Sequence, residues 1–293
     1  MEHQLFQGIV QVLLECGKGR FRAQCTFQDA DIVRVWYWSV IHDRPVCWAC
    51  RPENWPIGPR RPLPSASTMS RRLRTPSVRQ LLEAMERRVT APEQSGVFWK
   101  IDGKPLPIGG CSKDRQAGYG KAAGGKAKGY KLHAIIGAGS CIATWRIAPM
   151  NKDERVMAQR MLKSAAVQGY VVGDANYDSN PLHATCDQRD SLQLVTPRRY
   201  PHKSVGHCRQ TPGRLRSIAL VERPFPDFAA RLLQDRADIE RDYGNLTNWG
   251  GGLSGLPAWV RTHRRVHRWV QAKLTLTGLR RRLKNHDLRR PMQ

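Results

Sequence analysis

The stretch 170-YVVGDANYDSN-180 decides the fold. Tyr170, Val171 and Val172 run apolar into Gly173, the run stops at Asp174, and turn-forming residues follow. A short apolar run bounded by turn signals reads as a buried strand. This one delivers a carboxylate to its C-terminal tip. Open α/β sheets carry their chemistry at the carboxyl ends of strands. An aspartate there can equally cap a helix beginning near Asp178, so the stretch alone leaves two roles open.

The flanking sequence builds a sheet around it. On the N-terminal side, 151–169 reads as an amphipathic helix, with Asn151 as cap and Gly169 as stop. Before it lie three strand-like runs. The first, 97-VFWKIDGKP-105, reads as a strand ending in Asp102, and 130–138 and 140–149 follow. The Gly-, Lys- and Ala-rich 112–129 between them reads as a mobile basic loop. On the C-terminal side come a helix over roughly 178–189 and a strand over 192–197. Three strands, helix, strand, helix, strand is the order of an RNase H-like mixed sheet with flanking helices. After a loop, 227–251 reads as a long helix carrying Glu240.

The N-terminal third has a different character. Residues 1–28 are poorly periodic. In 29–43, Ile32, Val33, Trp36 and Val40 fall at helical spacing, and Asp29 or Asp31 can cap the start. A Pro- and Trp-rich loop follows. In 65–88 a cap at Ser65 or Ser67, the pair Met69 and Leu73, and the interruption at Pro76 predict two short helices. Arg71, Arg72 and Arg74 on the first suit a helix-turn-helix-like recognition element, or a basic solvated hairpin. The division expected is 1–95 a helical DNA-binding domain, 96–256 an RNase H-like catalytic core, and 257–293 a basic C-terminal helical segment packed on that core.

Bulk composition narrows the partner. The 293 residues hold 49 Lys+Arg against 24 Asp+Glu, a formal charge of +25. Such a surface calls for a polyanion, and double-stranded DNA leads by counterion release. No stretch approaches the roughly 18 apolar residues of a spanning helix, so no membrane partner is expected. No secretory leader is read, and the eight cysteines are expected as reduced thiols in a cytoplasm. Cys47 and Cys50 form the one tight pair. A zinc site there would need two further ligands, for which Cys16, Cys25 and His42 are available.

Three acids stand out by position: Asp102, Asp174 and Glu240. In an RNase H-like sheet the first and fourth strands are neighbours, which sets Asp102 beside Asp174, and a late helix over that edge brings in Glu240. Clustered carboxylates repel one another unless a cation neutralises them. A pair of hard divalent ions, Mg²⁺ with Mn²⁺ able to substitute, resolves that charge and suits in-line phosphoryl displacement.

These residues resemble the DDE transposases of bacterial insertion sequences, in the branch with a compact core, over roughly residues 29–285. The strand 99-WKIDGKP-105 looks like the first-Asp motif, and 129-GYKLH-133 like the strand after it. The run 173-GDANYDS-179 is similar to the second-Asp motif, and 236-RADIERDYGNL-246 to the Arg-x3-Glu helix, placing Arg236 and Glu240. Related members carry a Tyr three residues before that Arg and a Lys seven after the Glu. Here these are Leu233 and Thr247, so Arg241, Lys273 or the basic C-terminal helix would take over those phosphate contacts. The resemblance implies a nucleoid-associated enzyme that cleaves DNA at terminal inverted repeats and joins the freed 3′ end to target DNA, acting as a homodimer on DNA. Asp102, Asp174 and Glu240 would be the catalytic and metal-binding residues. Lys131, His133 and Arg236 would steer the phosphate, and the capping role would pass to Asp178. Two other readings stay open: an RNase H-like nuclease or resolvase without strand transfer, and a non-catalytic DNA-binding regulator.

Overall fold

The computed structural model describes residues 2–17, 25–56, 62–90, 96–109, 112–205, 209–222, 226–247 and 255–289, except for the side chains of 140, 226, 227, 229, 235–238, 240, 245–247 and 284–289. The chain divides into two compact units. One comprises residues 1–90, 246–260 and 265–293, and the other 91–245 and 261–264.

The first unit is helical. It contains α1 (Glu2–Gly17), α2 (Asp29–Ile41), the single turn α3 (Val46–Ala49), α4 (Ala66–Arg72) and α5 (Pro76–Thr90). Ser65 caps α4 as expected, accepting the Thr68 N–H at 3.2 Å. Helix α1 lies where the sequence reads as poorly periodic. Its buried residues, Leu5, Ile9, Val12 and Leu13, still fall on one helical stripe.

The sheet unit follows. Its elements are β1 (Phe98–Pro107), β2 (Gly118–Ala122), β3 (Gly125–Gly137), β4 (Cys141–Pro149), α6 (Glu154–Ser164), β5 (Gly169–Val172), α7 (Asn180–Asp187), β6 (Leu192–Val195), α8 (Pro212–Glu222) and α9 (Pro226–Thr247). The helix α10 (His263–Arg289) comes last, and from Arg265 it belongs to the helical unit. There Lys273 reaches Asp43, Gln271 donates to Glu86, and Trp36 meets Trp269 edge-on at 6.1 Å. The expected C-terminal segment packed on the sheet core is therefore corrected: its apolar face completes the helical unit.

The mixed sheet runs β2-β3-β1-β5-β6, with β4 also paired to β3. β1, β3 and β4 pair antiparallel, while β1–β5 and β5–β6 pair parallel. This order agrees with the RNase H-like expectation. Trp99, Ile101, Ile135, Val171 and Leu194 pack on one face with Ala158 and Met161 of α6 and Leu182 of α7. Val172 and Val195 pack on the other with Leu232 of α9 and Leu220 of α8. Strand alternation alone sorts these residues between the faces.

Three expectations change. The segment read as a mobile loop supplies β2 and the start of β3. Helix α8 occupies part of the expected loop before α9. Asp153, not Asn151, caps α6, accepting the Arg155 N–H at 2.8 Å.

Candidate active site

The parallel register of β1 and β5 pairs Lys100 with Val172. That is the last pair of the register: Asp102 lies two residues further along β1, and Asp174 two residues past the end of β5. The expectation that Asp102 ends its strand is corrected, because β1 runs on to Pro107, and Asp174 follows the end of β5 at Val172. Asp174 also caps the 3-10 turn Ala175–Tyr177, with its Oδ1 accepting the Asn176 N–H at 2.9 Å. Of the two roles the sequence left open, the cap is the one this contact fills. Asp178 does not take over the cap. Its buried carboxylate accepts two bonds from Arg214, at 2.7 and 2.8 Å, and the Arg199 N–H at 3.0 Å. Despite the opposing cost of burial, these bonds hold the Asp178 carboxyl well below the usual carboxylate range.

Helix α9 is fastened over β1 beside Asp102. The Tyr243 hydroxyl donates to the Asp102 backbone carbonyl at 2.8 Å, and Asp242 pairs with Lys100. Position 240 lies one turn before Tyr243 on this helix. The side chains of Glu240 and Arg236 lie outside the described residues. Arg241 is exposed on the same helix.

Alternation along β1 puts Lys100, Asp102 and Lys104 on the α9 face, and Gly103 on the opposite face. The half-buried Lys104 lies over the Tyr243 ring, 5.6 Å from its centroid. Burial lowers its ammonium pKa, while the charge of Asp102 pulls it back up. Lys104 escapes a motif-based reading, but its signal was available: it stands two residues after a candidate ligand in a strand.

Lys131 and His133 do not join Asp102. His133 pairs with Gly103 across β1 and β3, so both side chains fall on the α6 face. A Cβ added at Gly103 would lie 2.8 Å from Lys131 Cδ, 3.3 Å from Glu154 Oε1 and 3.3 Å from His133 Nδ1. Lys131 pairs with Glu154, whose second oxygen accepts the Asn176 amide at 3.0 Å. The expectation that Lys131 and His133 steer the scissile phosphate is therefore corrected. Lys131 is spent on Glu154, and His133 is buried on the far side of the strand. What sequence reasoning missed is Glu154, which ties β3 to the turn that Asp174 caps.

His133 is 1 % exposed, and neither ring nitrogen has a hydrogen-bond partner among the described residues. Burial pushes its pKa down to about 4, against the opposite pull of Glu154. The sign follows directly. The folded chain holds His133 neutral, so the unfolded chain binds a proton first as pH falls below about 6.5. The stability attached to the neutral ring is complete above that pH and is lost down to about pH 4. A drop of about 3 kcal/mol at most is expected across the window. Urea melts at pH 7 and pH 4.5 should show it in the parent chain. His133→Leu should fall distinctly less, and an equal fall in both would contradict the assignment.

In the helical unit, Arg71 and Arg74 are exposed on α4. Arg72 is not available as a DNA contact, because it binds the Asp29 carboxylate at 2.7 Å and the Phe27 carbonyl at 2.8 Å. Lys273 is corrected likewise. It is 4 % exposed and is held by Asp43 at 2.6 Å. Burial pushes the Cys50 thiol up to about 11, the opposite of what a zinc thiolate requires.

Among the described residues, no group of three His, Cys, Asp or Glu side chains is set to hold a metal ion. Asp102 in β1 and Asp174 just past β5 offer oxygen donors only. That set fits a hard divalent cation. Among the described residues, no helix is long and apolar enough to cross a membrane.

No curated protein sequence matches the chain. Among solved structures, it is similar to the piggyBac transposase in a synaptic complex with hairpin DNA. The TM-score is 0.50 at 11% identity, covering 99% of this chain and 74% of that one, a likeness of fold. A family model described as the transposase DDE domain matches residues 97–286, so the chain belongs to the transposase DDE domain family.

Proposed function

We propose that this chain is a metal-dependent DNA transposase of a bacterial insertion sequence, which cleaves DNA at the element's terminal repeats and joins the freed 3′ end to a target. The observation that carries this reading is that Asp102 and Asp174 each follow the last pair of two adjacent parallel strands, Lys100 and Val172, by two residues, within a chain of formal charge +25. Asp102, Asp174 and Glu240 are the residues that would hold Mg²⁺, or Mn²⁺ in its place. The metal supplies charge neutralisation and an activated oxygen nucleophile.

The chain's own groups do the rest. The Asn176 N–H orients one oxygen of Asp174, and Glu154 fixes Asn176 in turn. The Gly103 N–H donates to Asp102 Oδ1 at 2.7 Å, fixing that carboxylate as well. Lys104, on the same face as Asp102, offers a cation to the phosphate oxygens of a bound strand. Arg71, Arg74, Arg236 and Arg241 are proposed DNA contacts, with the α4–α5 region acting in the manner of a helix-turn-helix. A homodimer handling two ends, acting in the cytoplasm at the nucleoid, completes the reading. The test supplies the chain and Mg²⁺ with pre-cleaved ends of the element that encodes it and a target plasmid. Joined product is expected. Hydrolysis without joining would indicate a nuclease, and no metal-dependent reaction would overturn the enzyme reading.

A further inference from the structure

The hairpin of β2 and β3 has a use that the active site does not account for. Its register pairs Gly118 with Gly129, Tyr119 with Lys128, Gly120 with Ala127, Lys121 with Lys126, and Ala122 with Gly125. Cross-strand partners share a face, and neighbours along a strand alternate. One face therefore carries Tyr119, Lys121, Lys126 and Lys128, and the other only Gly and Ala. The small face is pressed against the chain after β4. A Cβ at Gly120 would lie 2.6 Å from the Met150 carbonyl, and one at Gly118 2.2 Å from Asn151 Oδ1. The large face looks outward: Tyr119 is 57 % exposed, and the Lys126 ammonium lies 5.8 Å from its ring centroid.

The arm is held at its base. Buried Asp114 accepts from the Tyr130 hydroxyl at 2.8 Å, the Gln116 N–H at 2.9 Å and the Thr262 N–H at 2.7 Å. Lys128 donates to the Ser112 carbonyl at 3.0 Å. A contact made by an already ordered arm costs less entropy on binding. No acid occurs from 115 to 152, a span that holds Lys and Arg throughout.

Position on the sheet identifies the partner. Asp102 pairs with Ala134, and alternation along β3 puts positions 134, 132, 130, 128 and 126 on one face. The cationic side of the arm thus shares the face of Asp102. Along the strand, positions 134 to 126 span about 27 Å at ~3.4 Å per residue, which is about eight nucleotides at ~3.4 Å per phosphate of one strand. Buried Tyr130 and Leu132 lie between, and the segment over Tyr130 is itself basic, with Arg261 and Arg264.

We infer that the β2–β3 hairpin is a duplex-DNA contact arm, gripping phosphates with Lys121 and Lys126 and the backbone with Tyr119, about eight base pairs from the reacting phosphate. This rests on the proposed function for the position of that phosphate, but the contact itself can be tested without metal or cleavage. The probe is a mixed-sequence 30-bp duplex, read by fluorescence anisotropy over a salt titration in EDTA. Lys121→Gln/Lys126→Gln should bind about tenfold more weakly at 100 mM NaCl, and the slope of log K against log [NaCl] should lose about 1.8. Tyr119→Ala should weaken binding further without changing the slope. Exposed Lys163→Gln, on α6, is the control and should change the slope by less. An unchanged slope and affinity in a double variant with parental thermal unfolding would overturn the inference. Where unfolding is altered, Tyr119→Ala alone decides, and parental affinity counts against the arm. A chain that binds through the arm yet never nicks DNA would overturn the proposed function and leave this inference standing.

Discussion

Asp102→Asn and Asp174→Asn are each expected to lower metal-dependent cleavage at an element end by about 10³-fold or more, while duplex binding in EDTA is kept or slightly strengthened. Each change removes one negative charge at nearly constant shape. A metal ion that stabilises charge in the transition state is worth several kcal/mol, and 1.36 kcal/mol is tenfold in rate. The split between cleavage and binding is the informative part. Asp174 also caps the Ala175–Tyr177 turn, and Asn caps almost as well as Asp. A fold-level explanation therefore predicts little effect from Asn, whereas a metal-ligand explanation predicts near-total loss. Supercoiled plasmid carrying the terminal repeat, incubated with Mg²⁺ and resolved on agarose, reads the first quantity. Anisotropy reads the second. Cleavage within tenfold of parental by either variant would remove that residue from the active site.

Lys273→Ala is expected to destabilise the helical unit by about 3 kcal/mol, since removing one partner of a buried ion pair leaves the other charge uncompensated. Lys273 is buried, and its ammonium is held by Asp43 and the Val40 carbonyl. Its pKa is lowered by burial, with Asp43 pulling the other way. Asp43→Asn/Lys273→Met should recover most of the loss, because a well-packed apolar replacement of a buried pair is often neutral or better. Asn also tolerates the positive φ of 50° at position 43. Urea unfolding of the three chains measures this. Had Lys273 served DNA, the alanine variant would keep its stability and lose affinity, and that outcome would reverse the assignment.

The contrast between Lys273 and Asp174 shows what the sequence could and could not convey. Asp174 was legible because its signal is local: an apolar run, an abrupt carboxylate and turn residues. The strand order followed from the same kind of signal, and β1 pairs with β5 up to Lys100 and Val172. Lys273 sits in a run of basic residues on a helix, and charge alone does not say which side chain turns inward. Its partner Asp43 lies far along the chain, joined only by packing. Lys131 and His133 failed for a related reason. Motif proximity suggested a role beside Asp102, but strand pairing put them on the opposite face. The β2–β3 hairpin was hidden by composition, since Gly, Ala and Lys have low strand propensity. The alternation of small residues with Tyr and Lys was nonetheless present in 118-GYGKAAGGKAKG-129. Helix α8 offered no apolar stripe to read, since Gly213 and Ser217 are its buried residues. Glu154 follows the cap Asp153 directly, and nothing local distinguishes the two acids.

Glu154 also sharpens the central question of which carboxylate completes the proposed site of Asp102 and Asp174. Glu154 lies near, but it is engaged by Lys131 and Asn176 and sits on the α6 face, whereas position 240 lies on the α9 face that Asp102 shares. Loading the chain with Fe²⁺ in place of Mg²⁺ and adding ascorbate and peroxide generates hydroxyl radicals at the bound metal, which cut the nearby backbone. Cuts clustered at 102, 174 and 240, suppressed by excess Mg²⁺, are the expected result. Cuts at 154 without any at 240, or cuts away from 102 and 174, would contradict the account.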